Sequence, residues 1–218
     1  MLENNVGKIM VERVFSIGVT STITEAINLM RDRGIGCLPV TDEEGRVWAI
    51  LTERDIMAIL SRKMRGVKVS EAMTRNLVTI HPKATIMDAM EVMVNKGFRR
   101  LPLEDRGMVE GIVTVMDIIR YIGCEENLGR IMEGRDGKIF LENVEGIAVR
   151  DLVTIEASAD ISEAAYLMTE HDIGSLLVVE DNRLLGLVTE RDLFKLIPPG
   201  EGGLPLKFGD WVELSFED

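Results

Sequence analysis

The chain has 218 residues, of which 46% are hydrophobic and 28% are charged, and its formal net charge is −12. This composition allows a sizeable core in one or two domains. The acidic excess disfavours binding to nucleic-acid backbones, and the sequence contains no stretch of about 18 apolar residues that could span a membrane. Two cysteines form no disulfide framework and the first residues do not resemble a signal peptide, so we expect a cytoplasmic protein.

A threefold internal repeat organises the chain, with Ala26, Ala89 and Ala164 at equivalent positions. Each repeat begins with a short run of β-branched and apolar residues, which predicts a strand. A residue suited to cap a helix comes next, and apolar residues then recur at the spacing of one helical face. These capping residues are Thr22, Thr85 and Asp160.

The second half of each repeat predicts two more strands and a second helix. A glycine that can end the first helix, Gly34 in repeat 1 and Gly97 in repeat 2, precedes a strand, a polar turn and another strand. That last strand closes in the pattern Thr-x-x-Asp, after which an apolar helical run begins. Each repeat therefore has the order strand–helix–strand–strand–helix, and the predicted fold class is mixed α/β, of the α+β kind.

These patterns also set the predicted domain boundaries. We predict a hairpin in the connector after repeat 2, with its turn at Arg135–Lys138, and a strand or docking segment at Trp211–Leu214 in the tail. The predicted segments are repeat 1 at 8–61, repeat 2 at 70–123, the connector at 124–146, repeat 3 at 147–198 and the tail at 199–218.

The Thr-x-x-Asp pattern has two interpretations, which can hold together. Thr can cap the helix while Asp occupies the third helical position, near the positive end of the helix dipole. Alternatively, the pair binds a ligand, because a carboxylate can accept both hydroxyls of a cis-diol and a helix N-terminus attracts phosphate. The pairs are Thr52 with Asp55, Thr114 with Asp117, and Thr189 with Asp192.

Other polar residues allow fewer conclusions. Arg99 and Arg100 could bind phosphate or could be a solvated pair, and we expect only one of them to face a cleft because neighbouring strand residues point to opposite faces. Arg54 and Arg191 are better explained as surface ion pairs. No second histidine or cysteine stands at ligand spacing from either histidine, and no nucleophile-and-base arrangement is recognisable, so neither a metal nor a catalytic activity is expected.

The repeats resemble the CBS domain, named for cystathionine β-synthase. The resemblance rests on a Gly-x-Leu-Pro-Val strand followed by Leu-Thr-Glu-Arg-Asp in repeat 1, and on its counterparts in the other repeats. It extends over most of the chain, and three copies in register make it specific. The stretches are Gly36–Val40 with Ile50–Asp55, Arg99–Leu103 with Gly111–Asp117, and Gly174–Val178 with Gly186–Asp192.

The resemblance implies tandem pairs of repeats with clefts for adenosine-containing ligands: AMP, ADP, ATP, S-adenosylmethionine or NAD. In the family the Asp accepts ribose hydroxyls, the Thr bonds ribose or phosphate oxygens, strand residues offer backbone groups to adenine, and apolar residues wall the base. The strand positions correspond to Phe15, Val78 and Val153, and the wall positions to Ile35, Phe98 and Ile173.

Three repeats cannot all pair within one chain. We expect repeats 1 and 2 to pair, and repeat 3 to cover its apolar face by forming a homodimer. The resemblance implies a non-catalytic regulatory or energy-sensing protein that reports its ligand, with no obligatory cofactor, to a protein partner by a conformational change. The alternatives are a CBS scaffold with empty clefts and, disfavoured by the charge, a nucleic-acid-binding protein.

Overall fold

The computed structural model describes residues 5–60, 66–133, 136–181 and 183–197. The chain divides into two compact units, of which the first joins Met1–Met64 to Glu190–Asp218 and the second is Arg65–Thr189. Repeat 1 thus shares a unit with the last helix of repeat 3, whereas the strands of repeats 2 and 3 share the other. Within the described part of the chain, no helix has both the length and the apolar character needed to cross a membrane.

Repeat 1 has the predicted order of elements and forms a three-stranded sheet. The first strand pairs in parallel with the second, and the second pairs antiparallel with the third, which leaves the first and third strands at opposite edges. The elements are β1 (Ile17–Gly18), α1 (Ile23–Arg33), β2 (Cys37–Thr41), β3 (Val47–Thr52) and α2 (Glu53–Leu60).

The second unit contains repeat 2 and most of repeat 3. Its elements are α3 (Val69–Ala72), α4 (Ile86–Lys96), β4 (Arg100–Asp105), β5 (Met108–Thr114), α5 (Val115–Gly123), α6 (Glu125–Met132), β6 (Thr154–Ile155), α7 (Ile161–Glu170), β7 (Ser175–Glu180) and β8 (Arg183–Thr189). The strands form one sheet in the order β4-β5-β8-β7-β6, in which β5 meets β8 antiparallel at Met108 and Arg183. The last helix, α8 (Glu190–Lys195), packs on α2 in the first unit.

Repeats 2 and 3 exchange the segments that lead into them. Thr74, ahead of repeat 2, bridges Leu187 in β8 through two backbone hydrogen bonds of 2.8 and 3.0 Å. Val149, ahead of repeat 3, bridges Ile112 in β5 through bonds of 2.9 and 3.0 Å. The two bridges join equivalent residues of the repeats. The exchange is therefore reciprocal, as a twofold axis relating the two repeats would require.

This pairing corrects two predictions. Repeat 2 shares its sheet with repeat 3, not with repeat 1, and repeat 3 has a partner within the chain. The physical reason is a close backbone approach at each bridge. A Cβ at Gly111 would lie 3.0 Å from the Val149 carbonyl oxygen, and one at Gly186 would lie 2.7 Å from that of Thr74. Repeat 1 has Ala49 at this register, three residues before its Thr, so a backbone that crosses its strand must lie a few tenths of an ångström farther away.

The helix ends follow the sequence closely. Thr22, Thr85 and Thr114 each close a capping box at the start of α1, α4 and α5, and the glycines that end α1 and α4 adopt left-handed φ angles of 64° and 69°. The apolar faces predicted for the first helix of each repeat are buried, apart from one half-buried residue in repeat 2. Buried members are Ile23, Ala26, Ile27, Met30, Ile86, Ala89, Met93, Ile161, Ala164, Ala165 and Met168.

The connector differs from the prediction. Instead of a hairpin it contains α6 and a 3-10 helix, Asp136–Leu141. Acidic residues in the first turn of α6 and Arg130 in its last turn match the helix dipole, and the buried Asn127 amide donates to the Tyr121 carbonyl at 2.8 Å. Local helix signals therefore outweighed the turn pattern. The tail prediction at Trp211–Leu214 lies outside the described residues.

Candidate ligand site

The Thr and Asp of the repeated motif meet at the start of the second helix. In repeat 1, the Thr52 amide and hydroxyl donate to Asp55 Oδ2 at 2.7 and 2.6 Å. In repeat 2, the Thr114 amide and hydroxyl donate to Asp117 Oδ2 at 2.8 and 2.7 Å. Both pairs thus form capping boxes. The capping interpretation is confirmed for these two repeats.

The capping hydrogen bonds occupy one of the two oxygens of the Asp carboxylate. In each box the Asp amide donates to the Thr hydroxyl, and the bonds that the carboxylate accepts go to Oδ2. A carboxylate has acceptor sites on both oxygens. In repeat 2, Asp117 Oδ1 lies 3.8 Å from Arg120 Nη1, and the Asp117 side chain is 11% exposed. In repeat 3, Asp192 Oδ1 lies 3.1 Å from Lys195 Nζ in the first turns of α8. The geometry is compatible with a ribose hydroxyl donating to Oδ1 while Oδ2 holds the cap.

Arg100 distinguishes repeat 2 from the other repeats. It opens β4 and lies directly opposite Thr114 in the β4–β5 register, where repeats 1 and 3 place Cys37 and Ser175 opposite their own Thr. Arg100 is half-buried and stands at the strand end at which α5 begins, so it brings a positive charge to the region of a positive helix terminus. That combination favours an anionic group such as phosphate. Arg99 is exposed, and its carbonyl accepts the Val115 amide at 2.9 Å.

The predicted base-wall residues occupy equivalent backbone positions in the three repeats. Ile35, Phe98 and Ile173 follow the end of the first helix, and each amide donates to a methionine carbonyl in that helix at 2.9–3.0 Å. Each hydrogen bond fixes the backbone of a residue that stands two positions before a strand, and this strand pairs with the one that carries the Thr. Phe98 is 40% exposed and so can contact a ligand, while Ile35 and Ile173 are half-buried. Their role as a wall for adenine stays a prediction.

The predicted strand residues stand just before the parallel strand positions. Phe15 precedes β1 and Val153 precedes β6, while Val78 precedes Ile80, which forms a single parallel bridge with Leu103. The Arg33 guanidinium covers the Phe15 ring at 4.5 Å from its centroid. The strands are shorter than the sequence predicts, so these three residues lie in extended lead-in segments. Their contact with adenine remains untested.

The arginines that precede the Asp of the motif in repeats 1 and 3 make contacts within the first unit. Arg54 Nε pairs with Glu190 Oε1 at 2.6 Å, which confirms the ion pair expected there, and Arg191 Nη2 donates to the Gly34 carbonyl at 2.6 Å. Sequence reasoning did not identify Arg31, whose Nη2 donates to the Ile197 carbonyl at 2.8 Å after α8. Its position in the last turn of α1 indicates only a favourable charge, so no pattern pointed to this contact.

Two further features are too weak to be sites. An apolar pocket in repeat 1, at the junction of β1, α1 and β3, has space for about one water molecule and contains none of the predicted ligand residues. Across the residues that the structure describes, no three His, Cys, Asp or Glu side chains are grouped so that they could hold a metal ion.

Comparison with known proteins identifies the family. The family model for the CBS domain matches residues 6–62, 69–123 and 144–199, which together are more than half of the chain. The chain therefore belongs to the CBS-domain family and contains three CBS repeats. An uncharacterised 33.4 kDa protein in a ribosomal RNA operon of Thermofilum pendens is 36% identical over 182 residues, which are 84% of this chain and 61% of that protein.

Solved structures support the same fold. The chain superposes on MJ1225 of Methanocaldococcus jannaschii, described as a proposed archaeal homologue of g-AMPK, with a TM-score of 0.81 and 30% identity over 88% of this chain and 70% of that one. It also resembles CBSX2 in complex with AMP, with a TM-score of 0.50 and 24% identity over 60% of this chain and 95% of that one, which shows the fold alone. The chain thus spans between three fifths and about seven tenths of its first two relatives.

Proposed function

We propose that this chain is a non-catalytic regulatory protein whose CBS repeats bind an adenosine-containing ligand. The observation that carries the proposal is the pairing of Arg100 with Thr114 at the strand end where α5 begins. Arg100 suits a phosphate, and the capping pair of Thr114 with Asp117 suits a ribose. Repeat 2 is therefore the first site to test, and AMP is the first ligand, which the complex of CBSX2 with AMP also supports.

Binding at this site can be transmitted through the exchanged segments. The bridge between Ile112 and Val149 lies two residues before Thr114, so a ligand at Thr114 acts close to a contact between repeats 2 and 3. A ligand that contacts one arrangement of the two repeats more favourably shifts the population toward it. A partner protein would then read the arrangement of the repeats instead of the ligand itself.

The test is calorimetric titration of the full chain with AMP, ADP, ATP, S-adenosylmethionine and NAD. At least one should bind, and Asp117→Ala should weaken it at least tenfold. Asp88→Ala is the matched control, because Asp88 closes a capping box of the same geometry at the start of α4. Loss of binding in both variants would mean that binding depends on intact helix caps and not on a contact between the Asp117 carboxylate and the ligand. A chain that binds none of the five at millimolar concentration would refute the proposal.

A scaffold function is the second candidate. It is favoured by the fact that both capping boxes are complete without a ligand, so Asp55 and Asp117 already have a structural role. A scaffold should show no binder in the same titration and should keep its fold in the Asp117→Ala variant. Nucleic-acid binding remains the least favoured function because the chain carries a net charge of −12.

A further inference from the structure

Repeat 1 carries an exposed apolar surface formed by the segment that leads into it and by its last strand. We call Val6, Met10, Val11, Trp48 and Ile50 the repeat 1 pairing face. These side chains are between 58% and 75% exposed. Several exposed apolar side chains on two parts of a folded domain indicate an interaction site.

The other repeats cover part of the equivalent surface: Ile112 and Leu187, at the position of Ile50, are half-buried, whereas Thr74 and Val149, at the position of Val11, stay exposed. Val6 corresponds to Val69 and Val144, which are both 0% exposed, and Val144 packs into the core of repeat 2. Met10 corresponds to Met73, which is 8% exposed. Val69, Met73 and Val144 are the buried residues of the leading segments of repeats 2 and 3, each of which crosses to the other repeat. Among the described residues, the repeat 1 pairing face therefore lacks the crossing contact that repeats 2 and 3 make with each other.

Repeat 1 cannot cover this face by itself. Its leading segment runs into β1, while the strand that would receive a leading segment is β3, at the opposite edge of the three-stranded sheet. Repeat 1 thus contains both halves of the contact, a segment to give and a strand to receive it, but holds them apart. Two such repeats related by a twofold axis satisfy each other, as repeats 2 and 3 do.

We infer that a second copy of this chain covers the repeat 1 pairing face, with the Val11 segment of each copy crossing β3 of the other. The crossing equivalent to Thr74 with Leu187 joins Val11 to the partner subunit's Ile50. The net charge of −12 does not oppose this contact, because Val47–Leu51 carries no charge and residues 6–11 carry a single lysine. Pairing of the two copies needs no ligand and stands apart from the proposed function.

Ala49 sets the strength of the contact. In the second unit the crossing backbone comes within 3.0 Å of the Gly111 Cβ position and within 2.7 Å of the Gly186 Cβ position. Ala49 has a real Cβ at that register, so the partner's segment must lie a few tenths of an ångström farther from β3. Removing this methyl group should therefore strengthen the dimer, whereas other truncations of the face should weaken it.

The partner copy also contributes to the ligand site of repeat 1. Because the bridges are antiparallel, residues that precede Val11 in one copy run toward the end of β3 in the other. That end is Thr52, where α2 begins. Ile9, exposed in the single chain, then lies near the partner's Thr52. The repeat 1 site is incomplete in one copy.

The first test is sedimentation velocity of the full chain at micromolar concentration. The wild type should be a dimer, Ile50→Glu should be monomeric, and Ala49→Gly should lower the dimer dissociation constant at least threefold. Val94→Glu is the matched control, because Val94 is exposed on α4 outside the face, and it should leave the dimer intact. Circular dichroism checks that each variant is folded. A wild-type monomer, or a dimer that Ile50→Glu does not affect, would overturn the inference.

The second test locates the contact. Val11→Cys with Ile50→Cys, in a background in which Cys37 and Cys124 are replaced by serine, should form a disulfide between chains on mild oxidation. Opposed residues of a hydrogen-bonded antiparallel pair have Cα atoms about 5.5 Å apart, which suits a disulfide. Failure to cross-link in a chain that still dimerises would place the interface elsewhere and reject the proposed contact.

Discussion

Gly186→Ala tests whether the exchange of leading segments stabilises the second unit. An alanine Cβ at this position would lie 2.7 Å from the Thr74 carbonyl oxygen and 2.9 Å from the Met73 sulfur. The methionine can move, but the carbonyl is held by the bridge, in which it accepts the Leu187 amide at 3.0 Å. The segment must shift, or the bridge must lengthen.

The expected cost follows from these two responses. Overpacking in a well-packed interior costs about 1–3 kcal/mol, and each weakened hydrogen bond costs about 0.5–1.5 kcal/mol. Replacing glycine also restricts the unfolded chain, which offsets about 0.4–1 kcal/mol. We expect Gly186→Ala to lower the free energy of unfolding by about 2 kcal/mol. Gly111→Ala, which meets the Val149 carbonyl oxygen at 3.0 Å, should cost less, about 1 kcal/mol.

Urea unfolding monitored by circular dichroism measures both variants against a control of opposite sign. Gly129→Ala adds a methyl group within α6 where nothing beyond the chain neighbours and the helix's own backbone lies within 4 Å, so it should stabilise the chain by about 0.5–1 kcal/mol. The reasoning is refuted if Gly186→Ala is neutral or stabilising while Gly129→Ala behaves as expected. It is also refuted if Gly111→Ala proves the more damaging change, because the closer contact is at Gly186.

Three further predictions concern the same unit. Val144→Ala should lower the free energy of unfolding by about 2 kcal/mol because this side chain is fully buried, whereas Val6→Ala should hardly change it in the monomer, as paired urea melts would show. The Ser162 hydroxyl and backbone amides lower the pKa of Asp160 from 3.8 to about 2, so its stabilising effect is complete above pH 3.8 and is lost as the pH falls toward 2. Acid unfolding should therefore be less steep in Asp160→Asn, and an unchanged slope would contradict this. Tyr121→Phe removes the 2.6 Å hydrogen bond from the Tyr121 hydroxyl to Glu142, so it should lower the free energy of unfolding by about 1 kcal/mol. Thermal unfolding measures this change, and an unchanged stability would contradict the prediction.

The local structure of each repeat was predictable because it depends on residues close in sequence. Thr85 caps α4 through a residue three positions later, and Gly97 ends it in a left-handed conformation that glycine adopts most readily. Apolar spacing gave the buried helix faces in the same way. The β1-type strands are shorter than predicted, because in each apolar run only the last residues pair with a neighbouring strand, and Val14, Phe15 and Val78 ahead of them are exposed.

The choice of partner between repeats was not predicted, although a signal was present. All three repeats share the strand pattern, so their order along the chain appeared to favour pairing 1 with 2. The discriminating residue is the one three positions before the Thr, which is glycine in repeats 2 and 3 and Ala49 in repeat 1. Its meaning depends on how closely another backbone passes, and that distance is a property of the tertiary structure. The contact of α2 with α8 was not predicted either, because it also depends on the tertiary structure.

Ligand binding and dimerisation should be linked if both proposals hold. The partner copy's Ile9 segment approaches Thr52 in the dimer, so an adenosyl ligand at Thr52 and Asp55 would contact both copies. Each event must then strengthen the other by the same factor, and couplings of this kind are commonly about 5–150-fold. Sedimentation with and without saturating ligand measures the factor directly. Asp55→Ala should remove the effect of the ligand on the dimer while leaving dimerisation of the free chain unchanged, whereas Asp117→Ala should leave the linkage intact. An equal response of the dimer to ligand in wild type and Asp55→Ala would show that the linkage does not pass through the repeat 1 site.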